Sequence, residues 1–285
     1  MDIQQIKSLL ARYGLSPNHT YGQNFLIDES VLDDMLHAAE VEPGDNVLEI
    51  GPGIGNLTRK LLDKNARVVA VEKDPQFLPI LKAIKKDFPK TFRYEVEDVL
   101  KFNFQKLFEG KYKVVANIPY YITGKILQLF LTAAIKPESI TVLMQKEVAE
   151  NAAAEVGDLS VLSLSVQLFG KPKVVRGVPK ESFFPAPKVD SAILHINLFE
   201  QPRRDVDEKK LFTLLRACFA GKRKQIHNTL THNVKLPKEE VEKILNELNI
   251  SPKIRPQDIT LDQWVKLAGK IYNPQITDIT KAQIT

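Results

Sequence analysis

Three glycines near the start of this sequence could shape a ligand-binding turn. Gly51, Gly53 and Gly55 in EIGPGIGNLT have the spacing G-x-G-x-G, one residue shorter than the dinucleotide fingerprint G-x-G-x-x-G. A glycine turn at the carboxyl end of a strand lets the backbone approach a ligand closely, but the same turn can simply join a strand to a helix. Taken alone, the glycines favour neither interpretation.

Two acidic residues lie at the ends of two predicted strands that follow the glycines in the sequence. Glu72 ends RVVAVE, where a carboxylate can accept both ribose hydroxyls, and Asp98 ends FRYEVED, where one can accept from an adenine amine. Either acid alone is more often a helix cap or a surface charge. The glycine turn holds no Lys or Arg, and the sequence has no P-loop pattern, so no phosphate is expected in the pocket. Together the residues predict an adenosine pocket, which S-adenosylmethionine fits better than NAD.

The motif NIPY, at residues 117–120, supplies groups that can act on an amine. Asn117 offers a side-chain carbonyl, and Pro119 biases Ile118 away from helix, so nearby carbonyls can face the pocket. Two acceptors that hold the hydrogens of an adenine amine would favour a pyramidal nitrogen with its lone pair aimed at a methyl group. Tyr120 would stack on the base, a contribution of about 1–3 kcal/mol. The alternative is a proline turn with a core tyrosine.

Alternating strand and helix signals between Asp28 and about Phe199 would position these residues. The sequence predicts helices at 56–64 and about 76–86, and strands at 45–50, 67–72, 92–98 and 112–118. Further apolar runs lie at 139–145, 160–169 and 191–199. This order indicates a doubly wound α/β sheet whose last strands can be antiparallel.

The C-terminal part has a different character. Apolar residues from Leu211 to Phe219 follow helix-face spacing, and the remainder also has helical patterning. Residues 201–285 carry 16 Lys+Arg and 10 Asp+Glu, whereas residues 1–200 carry 24 and 25, so the excess positive charge is C-terminal. A domain boundary is predicted near EQPRRDVDE (200–208).

The composition limits the setting of the protein. The 285 residues include one cysteine, Cys218, which excludes an internal disulfide and gives no zinc-ligand spacing, so no metal is predicted. No apolar span approaches membrane length, and MDIQQIKSLL has acidic and polar residues where a signal peptide would be apolar. A cytoplasmic protein without membrane contact is expected.

Successive motifs resemble those of the ribosomal RNA adenine dimethyltransferase family, and most closely its bacterial small-subunit branch. They cover nearly the whole chain in order: YGQNFLID (21–28), EIGPGIGNLT (49–58), VEKD (71–74), EDVL (97–100), NIPYYIT (117–123), MQKEVAE (144–150), FFPAPKVDSAIL (183–194) and LFTLLRACFAGKRKQIHNTL (211–230). The resemblance implies a class I (Rossmann-like) methyltransferase domain at 1–199, a small α-helical RNA-binding domain at 200–285, and S-adenosyl-L-methionine as the cofactor.

The implied reaction is two methyl transfers to each of two adjacent adenosines near the 3′ end of 16S rRNA. The implied partner is small-subunit rRNA within an immature ribosomal subunit, and the enzyme would act as a monomer.

The resemblance also assigns roles to residues around the cofactor: Asn24, Leu26, Gly51, Gly53, Glu72, Asp98 and Asn117. The first two would meet its methionine end and the glycines would lie against it, while Glu72 would hold the ribose and Asp98 the adenine. Asn117 would also contact the target amine.

For the target base, the resemblance assigns Pro119 to the catalytic motif and implies a sandwich between Tyr120 and Phe183. Phe184 can as easily be a core residue. Without the resemblance, QNFL would be interpreted as a loop before a helix capped by Asp28 or Ser30.

Two segments bear on RNA binding. The family usually has arginines near Asn151 and in place of Asp158, and their absence puts RNA affinity or orientation in doubt rather than the chemistry. Lys222, Arg223 and Lys224 keep the basic character of their segment and are candidates for phosphate contact, although a solvated helix face is the alternative.

Two other functions remain open. A large-subunit rRNA adenine methyltransferase of the macrolide-resistance type also contains NIPY, although PKVDSAIL and KRKQIHNTL look more like the small-subunit enzyme. An assembly factor that binds RNA without catalysis would keep the fold, but the intact Glu72, Asp98, Asn117, Pro119 and Tyr120 speak against it.

Overall fold

The computed structural model describes residues 1–18, 22–104, 107–108, 110–202, 206–221 and 223–272. They form two compact units, one of Met1–Glu150 with Lys171–Glu200, the other of Asn151–Gly170 with the chain from Gln201 onward. The last segment of the second unit begins at Gln201. The second unit also holds 151–170, which the sequence had placed in the first domain.

The helices and strands follow one another along the chain in a mostly alternating order. They are α1 (Ile3–Tyr13), β1 (Phe25–Leu26), α2 (Glu29–Ala38), β2 (Asn46–Ile50), α3 (Asn56–Asp63), β3 (Arg67–Glu72), α4 (Leu78–Asp87), β4 (Phe92–Val96), β5 (Lys113–Asn117), α5 (Thr123–Leu131), β6 (Ser139–Gln145), α6 (Lys146–Ala152), α7 (Val161–Phe169), β7 (Gly170–Val178), β8 (Phe183–Phe184), β9 (Ser191–Leu198), α8 (Glu208–Phe219), α9 (Ile226–His232), α10 (Lys238–Glu247) and α11 (Leu261–Tyr272).

Seven of the strands form one sheet, in the order β4-β3-β2-β5-β6-β9-β7. The strands from β4 to β6 pair in parallel, and β9 runs antiparallel to β6. The predicted α/β class and the antiparallel strand near the end are therefore confirmed. Because the chain leaves β2 for β3 and β4 and returns to β5 on the other side of β2, the strand order reverses between β2 and β5. Ligands of open α/β sheets bind at such a switch point.

The central parallel strands are apolar along almost their whole length because both faces of the sheet are covered there. In β2 the residues from Val47 to Ile50 are buried, and in β3 those from Val68 to Glu72 are buried. Continuous burial is typical of parallel strands in α/β proteins. It fixes the positions of the strand ends, and thereby the positions of the residues that follow them.

A separate two-stranded sheet joins distant parts of the first unit. Strands β1 and β8 pair antiparallel, with Phe25 opposite Phe184 and Leu26 opposite Phe183. The Phe25 ring packs edge-on against Phe77, with 5.9 Å between ring centroids. The side chain of Asp28 caps α2 by accepting from the Ser30 amide at 3.0 Å, as one interpretation of QNFLID expected.

The apolar run at 160–169, grouped with the strands from its sequence, is the helix α7. Ser160 caps this helix reciprocally with Ser163, because each side chain bonds the backbone amide of the other, at 3.1 and 2.8 Å. The serines alternate with apolar residues and imitate a strand pattern, but the capping box starts a helix. The strand that follows, β7, was not predicted.

The second unit is helical among its described residues. The face predicted from the spacing of Leu211, Leu214, Leu215, Cys218 and Phe219 lies on α8, and all five residues are buried. Phe219 packs against the buried Trp264 of α11, with 5.8 Å between ring centroids. Within the described ranges, no helix combines the length and apolar character needed to cross a membrane.

Candidate active site

One pocket lies at the switch point of the sheet, where the carboxyl ends of β2, β3 and β5 meet. Its volume is about 1110 Å³, part of which is open to solvent. Its lining brings together all the residues that the sequence suggested for the cofactor and the target base: Asn24, Leu26, Gly51, Gly53, Glu72, Asp98, Asn117, Pro119, Tyr120 and Phe183. These residues come from distant parts of the sequence and converge because the strand ends converge.

The three glycines of the turn after β2 all have positive φ, but they differ in their surroundings. At Gly51, φ is 66° and an added Cβ would meet no heavy atom within 4 Å, so its backbone faces open space. At Gly55, an added Cβ would overlap the side chain of Ile84 in α4. Gly55 therefore leaves room for the Ile84 side chain, while Gly51 gives a ligand access to the backbone.

Glu72, at the end of β3, is only 6% exposed and bridges two backbone amides. Its Oε2 accepts from the Gly53 amide at 3.0 Å and its Oε1 from the Asp74 amide at 2.8 Å. Burial raises the pKa of Glu72, and the two amides oppose that rise. Each oxygen keeps a further lone pair, so the carboxylate is positioned by the glycine turn and can still accept from a ligand.

Asp98, two residues beyond β4, is held at the rim of the pocket. It forms an ion pair of 2.9 Å with Lys73 and accepts from the Leu100 amide at 3.0 Å. Burial acts to raise the pKa of Asp98, but the Lys73 ammonium and the Leu100 amide outweigh it and hold the pKa below its usual value. Asp98 is therefore an ionised acceptor at neutral pH.

Asn117, the last residue of β5, has its side chain oriented by the loop before β1. Its Nδ2 donates to the Asn24 carbonyl at 3.1 Å, so the amide nitrogen faces Asn24 and Oδ1 is the remaining acceptor. The Asn24 side chain donates to the Gly22 carbonyl at 3.2 Å, and Asn56 donates to the Leu26 carbonyl at 2.9 Å. The Asn117 bond ties the QNFL segment to the end of β5, and the Asn56 bond ties it to the start of α3.

The aromatic residues proposed for the target base lie in the same pocket. Tyr120 is half-buried and its hydroxyl bonds the Ser191 hydroxyl at 2.7 Å. Burial raises the pKa of Tyr120, which therefore stays neutral. Phe183 is 3% exposed in β8. Phe184 packs partly buried against the hydrophobic core, and Lys7 Nζ lies 5.4 Å from the centre of its ring.

Glu49, which was not predicted from the sequence, also lines the pocket. It lies in β2 just before the glycine turn, is 1% exposed, and its Oε2 has no hydrogen-bond partner among the described residues. Burial raises the pKa of Glu49 to about 8, and the nearby Glu72 adds to the rise. An acid in a strand that is otherwise apolar was the signal, since charged residues are almost never fully buried without a reason.

The residues proposed for RNA contact belong to the second unit. Arg223 and Lys224 are exposed between α8 and α9, whereas Lys222 lies outside the described residues. The segment that lacks the expected arginines is also in this unit, with Asn151 at the end of α6 and Asp158 exposed. Within the unit, the Gly157 amide donates to the Gln257 carbonyl at 3.1 Å.

Comparisons with known proteins agree with this architecture. The family model for ribosomal RNA adenine dimethylases matches residues 14–272. The ribosomal RNA small subunit methyltransferase A of Dehalococcoides mccartyi is 40% identical over 266 residues, which cover 92% of this chain and 91% of that protein. Its namesake from Clostridium perfringens is 41% identical over 281 residues, with 95% and 98% covered.

Solved structures are also similar. A dimethyladenosine transferase from Plasmodium falciparum has a TM-score of 0.75 at 27% identity, covering 85% of this chain and 95% of its own. The 23S rRNA methyltransferase ErmE has a TM-score of 0.68 at 28% identity, covering 87% and 99%. Since the family model spans most of the sequence and these two relatives match it almost end to end, this chain belongs to the ribosomal RNA adenine dimethylase family.

Proposed function

We propose that this chain dimethylates the exocyclic amines of two adjacent adenosines near the 3′ end of 16S rRNA during ribosome biogenesis. As a member of its family it is an S-adenosylmethionine-dependent rRNA adenine dimethyltransferase. One observation carries the proposal for the site: Glu72 and Asn117 end two of the parallel strands, Asp98 lies just beyond a third, and all three line one pocket. Small-subunit relatives at about 40% identity support the choice of rRNA.

The pocket fits S-adenosylmethionine. The open backbone at Gly51 gives the methionine part of the ligand room, and the positioned carboxylate of Glu72 suits the two ribose hydroxyls. Asp98, as an ionised acceptor, suits the adenine amine. Asn24 and Leu26 would hold the methionine end. When bound, the cofactor supplies an electrophilic methyl group on a positively charged sulfur.

Asn117 would orient the nucleophile. The lone pair of an adenine amine is delocalised into the ring, so the amine is a poor nucleophile until its nitrogen becomes pyramidal. The Oδ1 of Asn117 would accept one amine hydrogen, and a backbone carbonyl of the NIPY segment would accept the other. Ile118 supports this geometry, because its amide donates to Leu143 of β6 at 3.1 Å and fixes the backbone before Pro119. The methylated nitrogen is acidic enough to lose its proton to solvent.

Tyr120 and Phe183 would hold the target base between their rings. The Ser191 hydroxyl anchors the hydroxyl of Tyr120, and the pairing of β8 with β1 anchors Phe183. Rings fixed in this way lose little conformational entropy when a base enters between them.

The second unit would bind the RNA. The C-terminal excess of positive charge supports this division of labour, and Arg223 and Lys224, with Lys222 beside them in sequence, would contact phosphates. The first unit would carry out methyl transfer. We further propose that the enzyme works as a monomer, in the cytoplasm, on an immature small subunit.

The competing function is methylation of large-subunit rRNA. ErmE supports it through the similarity of its structure, but at 28% identity, compared with 40% and 41% for the small-subunit relatives. Transfer of labelled methyl groups from S-adenosylmethionine to immature small subunits tests the proposal, with large-subunit rRNA as the control. We expect label only in the small-subunit rRNA, at two adjacent adenosines. Label in the large-subunit RNA alone, or none in either, would overturn the proposal.

A further inference from the structure

Tyr121 is an exposed aromatic residue at the mouth of the pocket. Its exposed fraction is 55%, and it is the one aromatic residue among the large apolar side chains that are exposed in the described part of the chain. The neighbouring Tyr120 points its hydroxyl inward to Ser191, yet both tyrosines line the same pocket. Tyr120 is therefore anchored within the pocket, whereas Tyr121 is exposed to solvent at its rim.

The ring of Tyr121 lies close to Gly22, in the loop before β1. A Cβ placed on Gly22 would lie 3.7 Å from two ring carbons of Tyr121 and 3.5 Å from Cβ of Pro119. Gly22 has a φ of 62°, so the loop passes close to the ring without a side chain between them. The ring therefore has a neighbour along one side, while much of its surface remains open.

The geometry points to a second nucleobase site: we propose that Tyr121 stacks on the base of the nucleotide next to the target adenosine. This inference rests on the proposed function. When one of two adjacent adenosines enters the pocket, its neighbour must remain at the rim, where Tyr121 offers an exposed aromatic surface. Base–aromatic stacking tolerates any base and is a common source of affinity for unpaired RNA.

Binding of a short RNA with two adjacent unpaired adenosines tests the proposal by fluorescence anisotropy. Tyr121→Ala should weaken affinity about fivefold to a hundredfold, the range that stacking of one base gives. Tyr121→Phe should restore it, because the ring remains. Val189→Ala is the matched control, since Val189 is 46% exposed in the same unit but does not line the pocket.

The same measurement with abasic RNA isolates the stacking partner. Two RNAs are needed, each lacking the base on one side of the target adenosine. On one of these abasic RNAs, the wild type should bind as weakly as Tyr121→Ala binds intact RNA. Tyr121→Ala should bind that abasic RNA no more weakly than it binds intact RNA. An unchanged affinity of Tyr121→Ala for intact RNA, or an equal loss on intact and both abasic RNAs, would overturn the proposal.

A methyl-transfer assay separates this inference from the proposed function. Calorimetry should give the same affinity of wild type and Tyr121→Ala for S-adenosylmethionine, since the ring lies at the rim. If wild type methylates small subunits but shows no coupling between Tyr121 and a flanking base, the subsite is wrong and the function stands. If the coupling is present without methyl transfer to small subunits, the subsite stands and the proposed function is wrong.

Discussion

Glu49 shows how one buried carboxyl group makes the stability of the first unit depend on pH. The side chain is 1% exposed beside Glu72 and close to the hydroxyl of Thr58, and burial raises its pKa to about 8. In the unfolded chain the pKa is near 4.5. Between these values the folded state binds more protons than the unfolded state, so the free energy of unfolding falls as pH rises.

The substitution Glu49→Gln should remove this pH dependence. The two proteins should be similar in stability near pH 5, and the wild type should then lose stability relative to the variant by up to about 1.4 kcal/mol per pH unit towards pH 8. Urea unfolding of both proteins from pH 5 to pH 9 measures the difference. The exposed Glu95→Gln is the control. If the free energies of unfolding of wild type and Glu49→Gln changed with pH in parallel, the raised pKa of Glu49 would be contradicted.

The role proposed for Asn117 concerns rate rather than affinity. Asn117→Ala should lower the single-turnover rate of methyl transfer by at least about tenfold to a hundredfold, because loss of a positioned acceptor costs about 1–3 kcal/mol. RNA affinity should change little, since it comes mostly from backbone contacts elsewhere.

The assay for Asn117→Ala uses saturating S-adenosylmethionine, because the residue is also proposed to touch the cofactor. Asn46→Ala is the matched control, since Asn46 starts β2 away from the pocket and donates to the Lys111 carbonyl at 3.1 Å. A variant that binds both partners and still transfers at the wild-type rate would mean that backbone groups alone hold the amine.

Among the structural elements, the glycine turn after β2 allows the effect of backbone strain on stability to be distinguished from the effect of a lost ligand contact. Gly51 and Gly44 both have positive φ, 66° and 89°, and an added Cβ would meet nothing within 4 Å at either. Gly51→Ala and Gly44→Ala should therefore each cost about 1–2 kcal/mol of stability. Calorimetry with S-adenosylmethionine should show weakened binding for Gly51→Ala alone, since Gly51 lines the pocket and Gly44 does not. Equal affinities would remove Gly51 from the cofactor site.

The same elements show what a sequence can predict. The parallel strands were found because short, continuous apolar runs bounded by turn residues are typical of strands buried on both faces, and the strand ends then located Gly51, Glu72 and Asn117. Strand β7 was missed because GKPKVVRGV mixes charged residues with glycine and proline, and as an edge strand it is mostly not buried and shows no continuous apolar run. Glu49 was missed because both faces of β2 are buried, so the pattern does not tell which face its side chain takes.

At the scale of the whole molecule, the excess positive charge lies in the C-terminal part of the chain. Replacing Arg223 and Lys224 with glutamine should reduce the slope of log affinity against log salt by about 1.4 to 1.8, from the coefficients for single strands and duplexes. Replacing the exposed Lys82 and Lys86 of α4 with glutamine is a control of equal charge. Filter binding of small-subunit rRNA over a range of salt measures both slopes. Equal slopes for the two variants would leave Arg223 and Lys224 as a solvated face.

The pairing of β1 with β8 has a consequence for the nascent chain. Strands β2 to β6 emerge from the ribosome in succession and can pair as they appear, but Phe25 and Leu26 find their partners only when Phe183 and Phe184 have been made. Between them comes the whole of 151–170, which packs with the other unit. During translation the wall of the pocket therefore remains open until nearly the end of the first unit, and a cofactor can stabilise the fold only from that point onward.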